Sequence, residues 1–162
     1  MRALLALFAL LALAGCGLSP MYAGGGSGAV AQSLAGIEVA PIEGRAGWLM
    51  RNALADRLGA AGAASPRYRL DVRLDDELEA LGILADDTVS RERRTLRARY
   101  QLVDLASGEI VLDATDGSDA GIDVVSSEYA TIAAEQTALE NLSHVVAERM
   151  ITRIALALRN RQ

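Results

Sequence analysis

The chain has 162 residues, is 51% hydrophobic and 23% charged, and carries a formal net charge of −5, which allows one domain with enough chain to bury a core. A single Cys and a single His exclude a disulfide scaffold, a zinc finger and most transition-metal sites built from protein alone. The acidic balance argues against nucleic-acid binding, and an aromatic content of 4% argues against base-stacking surfaces. No cofactor is implied.

Met1-Arg2 gives a short positive start, and Ala3 to Ala14 is an unbroken run of Ala, Leu and one Phe. Leu13-Ala14-Gly15-Cys16 follows. A basic start, a short apolar stretch and small residues at the cut make a secretory signal peptide, too short to span a membrane. The sole Cys stands directly after the small residues, as in the lipobox of bacterial lipoproteins. Cleavage before Cys16 and acylation of its thiol are therefore expected, with a mature charge of −6 once Arg2 is removed. Several acyl chains hold a protein on a membrane where one alone is marginal. Gly17 rather than Asp follows the Cys, which favours the outer membrane by analogy with known lipoprotein sorting.

Gly17 to Ala35 contains Gly24-Gly25-Gly26 and Gly28 among Ala and Ser, and reads as a flexible tether. The chain thus divides into a signal peptide (1–15), a lipidated Cys16 with its tether (16–35) and a single domain (36–162). Ile37-Glu38-Val39, ended by Pro41, reads as the first strand. Arg45 to Ala61 reads as a helix with Met50, Ala53, Leu54, Leu58 and Ala61 as its stripe, Gly62 as C-cap and Trp48 in the core.

Two long alternating segments follow. Between Arg67 and Asp75 the even positions are Tyr68, Leu70, Val72 and Leu74; between Arg91 and Val103 they include Leu96, Ala98, Tyr100 and Leu102. A period of two with one apolar face is a half-buried antiparallel strand. Directly opposed residues share a face, so the two apolar faces meet only if paired numbers have the same parity. A loop at Ala85-Asp86-Asp87 achieves this. It pairs Leu74 with Ala98 and Leu70 with Leu102, and sets Asp75 opposite Arg97 and Glu79 opposite Arg93. A second loop, Ala106-Ser107-Gly108 with Gly108 left-handed, pairs Leu102 with Leu112.

Ile110 to Thr115 is then the fourth strand, and Asp116 to Asp123 a polar loop. Ser126 or Ser127 caps a final helix to about Asn160, with Ile132, Leu139, Leu142, Val146, Met150, Ile154 and Leu158 as its stripe. The expected fold is α+β, in the order β-α-β-β-β-α. A four-stranded, largely antiparallel sheet carries two helices on one face. Arg67, Arg69, Arg73, Arg91, Arg93, Arg97 and Arg99 fall on the other face, while Arg94 either points the opposite way by parity or sits near the loop. Exposed cross-strand ion pairs explain each Arg singly and contribute under about 1 kcal/mol each. Together the arginines offer planar forks that suit phosphate.

The lipobox, the following Gly17-Leu18-Ser19-Pro20-Met21-Tyr22 and the order of elements resemble the LptE family of lipopolysaccharide (LPS) assembly lipoproteins. That family often opens with Cys-Gly-Phe-x-Pro-Leu-Tyr. Cys16, Gly17, Pro20 and Tyr22 match, while Leu18 and Met21 depart conservatively. Leu81-Gly82-Ile83, the Arg-rich run Arg91 to Tyr100 and Leu102-Val103-Asp104 are similar to α-proteobacterial members. The resemblance covers nearly the whole chain and implies a non-enzymatic protein of the outer membrane. It would sit as a plug in an LptD-type β-barrel, help that barrel assemble and help LPS reach the outer leaflet. Arg91, Arg93, Arg94, Arg97 and Arg99 are the residues expected to meet LPS or the partner, on charge and position alone.

Two rivals stand beside this reading. One is an auxiliary lipoprotein of another periplasmic lipid-transport complex. The other is a periplasmic enzyme, for which Ser143 and His144 are the best material. Neighbours on a helix point in different directions, so those two make no ready nucleophile–base pair. Asp75-Asp76 and Asp86-Asp87 read as solvated strand-end and turn carboxylates rather than an acid–base pair or a metal site.

Overall fold

The computed structural model describes residues 29–58, 66–83 and 89–161. The elements are α1 (Ala29–Ala35), β1 (Ile37–Val39), α2 (Gly44–Leu58), β2 (Tyr68–Ile83), β3 (Val89–Asp104), β4 (Ile110–Asp123) and α3 (Glu128–Arg159). They form an α+β fold with a four-stranded mixed sheet in the order β1-β2-β3-β4. β1 runs parallel to β2, and the β2–β3 and β3–β4 pairs are antiparallel.

The strands pair in the register that parity requires. Leu74 lies opposite Ala98, Leu70 opposite Leu102, Asp75 opposite Arg97 and Glu79 opposite Arg93. Leu102 lies opposite Leu112 in the next pair. The first loop, at Ala85-Asp86-Asp87, lies outside the described residues. The second has Gly108 at a φ of 74°, the left-handed conformation a side chain resists. Asp104 shapes that turn by accepting the backbone N–H of Ala106 at 2.9 Å and of Ser107 at 3.3 Å. A register shift between Leu102 and Val103 takes up the odd residue beside it.

Even-numbered side chains of β2 and β3 face the helices. Tyr68, Leu70, Leu96, Ala98, Tyr100 and Leu102 are buried there against Met50, Leu54 and Leu58 of α2. Leu139, Leu142, Val146, Met150, Ile154 and Leu158 of α3 complete the core. Each fully buried Leu or Ile contributes roughly 1.5–3 kcal/mol relative to exposure. At 1.5 Å per residue, the 32 residues of α3 run about 48 Å and bridge the length of β3 and β4.

The structure departs from the sequence reading at five places. Ala29–Ala35, read as the end of the tether, is a helix whose Leu34 enters the core. So short a helix is held by that packing, not by its own propensity. Trp48 is 64% exposed rather than core, because the buried stripe of α2 runs through Gly47, Met50, Ala53, Leu54 and Leu58. Its neighbour Gly47 takes the inward position.

β4 continues to Asp123 where a polar loop was expected. Asp116, Gly117 and Gly121 disfavour a strand intrinsically, but pairing with Arg91 to Ala98 and the burial of Ile122 override that. Ile132 is 40% exposed and Thr131 is buried in its place. Ser127 does stand at the N-cap of α3, but its side chain makes no capping bond. The Ser127 carbonyl accepts the Thr131 N–H at 3.1 Å instead. α2 is described only to Leu58, so Ala61 and Gly62 lie outside the described residues.

Gly47 is where backbone approaches backbone. A Cβ there would stand 2.5 Å from the Ile42 carbonyl oxygen and 2.9 Å from Ile42 Cγ2. In an ordinary helix Gly→Ala gains about 1 kcal/mol. Here Gly47→Ala is expected to lose about 1–3 kcal/mol, read as a lower urea midpoint at unchanged slope. Trp48→Ala next to it should stay within about 0.5 kcal/mol of the parent. A more stable Gly47→Ala protein would refute the close approach.

Candidate functional site

The face of the sheet turned away from the helices is a field of charge. Over β2, β3 and β4 its odd positions bring together Arg69, Arg73, Arg91, Arg93, Arg97 and Arg99. The same positions bring Asp71, Asp75, Glu77, Glu79, Asp113, Asp119 and Asp123. The arginines concentrate on β3, the central strand of the three, and the carboxylates on its neighbours. The sheet therefore carries a basic stripe between two acidic ones, and the face is close to neutral.

Three of the arginines are tied to carboxylates. Arg91 Nε donates to Asp123 at 3.0 Å, and Arg99 to Asp113 at 3.3 Å. Arg69 grips Asp71 with Nε and Nη2 at 3.0 Å. Gln101 joins Arg99 on Asp113 at 2.8 Å. Arg73, Arg93 and Arg97 make no ion pair among the described residues. Glycines explain part of this. On β4, Gly117 lies opposite Arg97 and Gly121 opposite Arg93, so neither position offers a carboxylate. At Gly117 even a Cβ would press on Arg97 Cγ, at 3.0 Å. Arg73 lies directly opposite Arg99, and the two flank a hollow of about 480 Å³ with Ala40, Pro41, Asp71 and Gln101.

Arg94 is elsewhere. As parity requires, it lies on the helix side, where it pairs with Asp76 at 2.7 and 2.8 Å and donates to the Glu135 carbonyl at 3.0 Å. Its hydrogen bond with Asp76 raises its already high pKa. It fastens α3 to the sheet. A second fastening is centred on Asp116, which accepts the Tyr100 hydroxyl at 2.6 Å and Arg153 at 2.8 Å. Burial pushes the Tyr100 phenol far above its usual range, and the bond to Asp116 adds to the shift. Arg149 of α3 reaches across to the Gly117 carbonyl.

The structure thus brings Arg91, Arg93, Arg97 and Arg99 onto one face and takes Arg94 off it. Cys16 lies outside the described residues. Arg73 belongs with the unpaired arginines, and the register alone points to it, because pairing Leu74 with Ala98 sets Arg73 against Arg99. Asp116, Arg149 and Arg153 were not legible while Asp116 read as a loop residue. Ser143 is buried and donates to the Leu139 carbonyl at 2.8 Å, whereas His144 is exposed. The two do not face one another. No group of His, Cys, Asp and Glu with metal-site geometry occurs among the described residues, and no described helix is long and apolar enough to cross a membrane.

Comparison with known proteins adds to this geometry. Residues 34–154 match the family described as LptE, lipopolysaccharide-assembly. No curated protein matches the sequence. A candidate lipoprotein from Caulobacter crescentus is similar in structure, with 25% identity and a TM-score of 0.71 over 83% of this chain and 98% of that one. Rare lipoprotein B from Shewanella oneidensis shares 14% identity and a TM-score of 0.59, over 76% of this chain and 96% of that one. A minor lipoprotein from Acinetobacter baumannii shares 14% identity and a TM-score of 0.60, over 74% of this chain and 90% of that one. At 14% identity the likeness is one of fold.

Two carboxylates set the acid response, Asp104 at the β3–β4 turn and Asp113 on the open face. Backbone hydrogen bonds from Ala106 and then Ser107 hold Asp104 below the usual carboxylate range. Hydrogen bonds from Gln101 and then Arg99 hold Asp113 below it. A depressed folded pKa stabilises the fold above the ordinary value of about 4, and that share is lost as pH falls through the folded value. The urea midpoint should therefore decline from about pH 4 downwards. Asp104→Asn and Asp113→Asn should each flatten that decline while lowering the midpoint at neutral pH. An unchanged acid limb in both variants would contradict the assignment.

Proposed function

The chain belongs to the LptE lipopolysaccharide-assembly family, and from that premise we propose that it is an outer-membrane lipoprotein that plugs an LptD-type β-barrel. In that place it helps the barrel assemble and assists LPS insertion into the outer leaflet. The observation that carries the reading is the family match over residues 34–154, which reaches from α1 into the last turns of α3. The role in LPS assembly follows from it, with no catalytic step assigned to any residue.

The physical fit supports the finer reading. A barrel lumen is polar and water-filled unless something occupies it. A plug needs a rigid core and a polar outer surface, so that neither it nor the lumen wall loses hydration without replacement. The open sheet face meets that need, with charges of both signs at fixed spacing. LPS carries phosphates, for which guanidinium forks are well shaped. Arg93 and Arg97 are the arginines of the set with no ion pair among the described residues, so they take the phosphate contacts. Arg91 and Arg99 add charge already shared with Asp123 and Asp113. Arg94 acts by holding α3 on the sheet. Cys16 carries the lipid: its thiolate attacks the glyceryl carbon of a membrane phospholipid, so that the new thioether bond forms as the carbon–oxygen bond to the phosphate head group breaks and that head group leaves.

Three measurements test this. A mild-detergent pull-down from membranes, read by mass spectrometry, should return an outer-membrane β-barrel. An inner-membrane lipid-transport complex in its place would favour the auxiliary-lipoprotein rival. Labelled palmitate should enter the chain and be lost on Cys16→Ala; labelling that survives the substitution would refute the anchor. Joint replacement of Arg93 and Arg97 by Ala should weaken LPS capture with the thermal midpoint unchanged, while equal capture would remove these residues from the site.

A further inference from the structure

We infer that the outer edge of β2 is a strand-addition site for an extended partner segment of alternating basic and apolar residues. The inference goes beyond the barrel reading and does not rest on it. β1 covers only the first residues of β2, Tyr68 to Leu70. Pro41 has no N–H to continue the ladder, and the chain leaves for α2 at Gly44. Among the described residues the strand is an edge from Asp71 to Ile83, more than twice the length of a typical strand of about 5–6 residues.

The direction of its free groups is fixed by the part that is covered. Tyr68 N–H donates outward to Gly36 O at 3.1 Å, and Leu70 O accepts Ala40 N–H at 3.0 Å. Even-numbered residues therefore turn their backbone groups outward, and odd-numbered ones turn them to β3. Val72, Leu74, Asp76, Leu78 and Ala80 continue the outward series. Among the described residues no hydrogen bond reaches their outward groups.

Natural edges are blunted by shortness, bulges, proline, lysine or a cover. The β2–β3 register runs without a shift, and β2 contains neither Pro nor Lys. The opposite edge of the sheet is treated differently: Arg149 of α3 caps the Gly117 carbonyl in the middle of β4. What β2 has is negative charge. Asp75, Glu77 and Glu79 stand in succession on the open face beside the bare edge, all exposed. Like charge disfavours a second copy of β2 laid along it and favours a basic strand. On the helix side of the same edge, Leu78 is 46% exposed and Leu74 partly so. The segment that fits presents Arg or Lys to the acids at every second position and an apolar residue to Leu74 and Leu78 at the positions between.

The test uses the full chain and a short synthetic peptide of alternating Arg and Val, with an alternating Glu and Val peptide as control. Residue-resolved amide exchange should slow at Leu74, Asp76 and Leu78 with the basic peptide only. Amides of Arg73, Asp75 and Glu77, already bonded to β3, should not change. Leu78→Pro removes one outward donor and should abolish the protection without altering the β2–β3 amides. Joint replacement of Asp75, Glu77 and Glu79 by Ser keeps every backbone donor and should weaken peptide binding roughly tenfold. The inference is overturned if the outward amides stay unprotected or if the acidic peptide protects them equally. It is also overturned if the free chain protects them in a concentration-dependent dimer, since the occupant is then a second copy.

Discussion

The fold depends on one constraint, the unbroken parity of β2, β3 and β4. Side chains alternate faces along each strand, so a slip of one residue would exchange the buried face for the charged one. Leu70, Leu96, Ala98, Tyr100 and Leu102 can reach the helices only in the observed register. The same register lines up the arginines of β3 between the acids of β2 and β4. Core and charged surface are two readings of one alignment. The helix that covers the core is then stitched to it by polar bonds, from Arg94 to the Glu135 carbonyl and from Arg153 to Asp116.

The charge pattern has a consequence for function. A face made only of arginine would attract any polyanion. Here the acidic neighbours cancel most of that field, and the ion pairs of Arg91 and Arg99 hold their guanidiniums in place. What is left is a nearly neutral surface on which Arg73, Arg93 and Arg97 make no ion pair among the described residues. Such a surface suits enclosure by a polar protein wall, with phosphate contact at chosen points, better than it suits a free anion-binding patch.

Much of this was legible in the sequence because the strands are amphipathic. Parity predicted the cross-strand partners, and of the two places open to Arg94 the structure takes the inward one that parity offered. Where local chemistry and tertiary packing disagreed, the sequence misled. Asp116 to Asp123 carries acids and glycines, and only the pairing with β3 and the burial of Ile122 make it a strand. Trp48 looked like core by size, yet Gly47 holds the inward position because the Ile42 backbone passes so close. The helix at Ala29–Ala35 was hidden by the glycines before it. The unpaired state of Arg93 and Arg97 was half legible, since the opposing glycines could be found only once β4 was known to extend past Thr115.

What surrounds the charged face in the cell envelope decides the function of this protein. A photo-crosslinking residue placed at Arg93, in the chain produced in its own host and irradiated in intact cells, reads this directly. A plug in the barrel gives a single dominant adduct with an outer-membrane β-barrel, absent when the residue is moved into the buried core at Met150. Adducts confined to inner-membrane components, or none from position 93 while the chain is folded and membrane-bound, would contradict it.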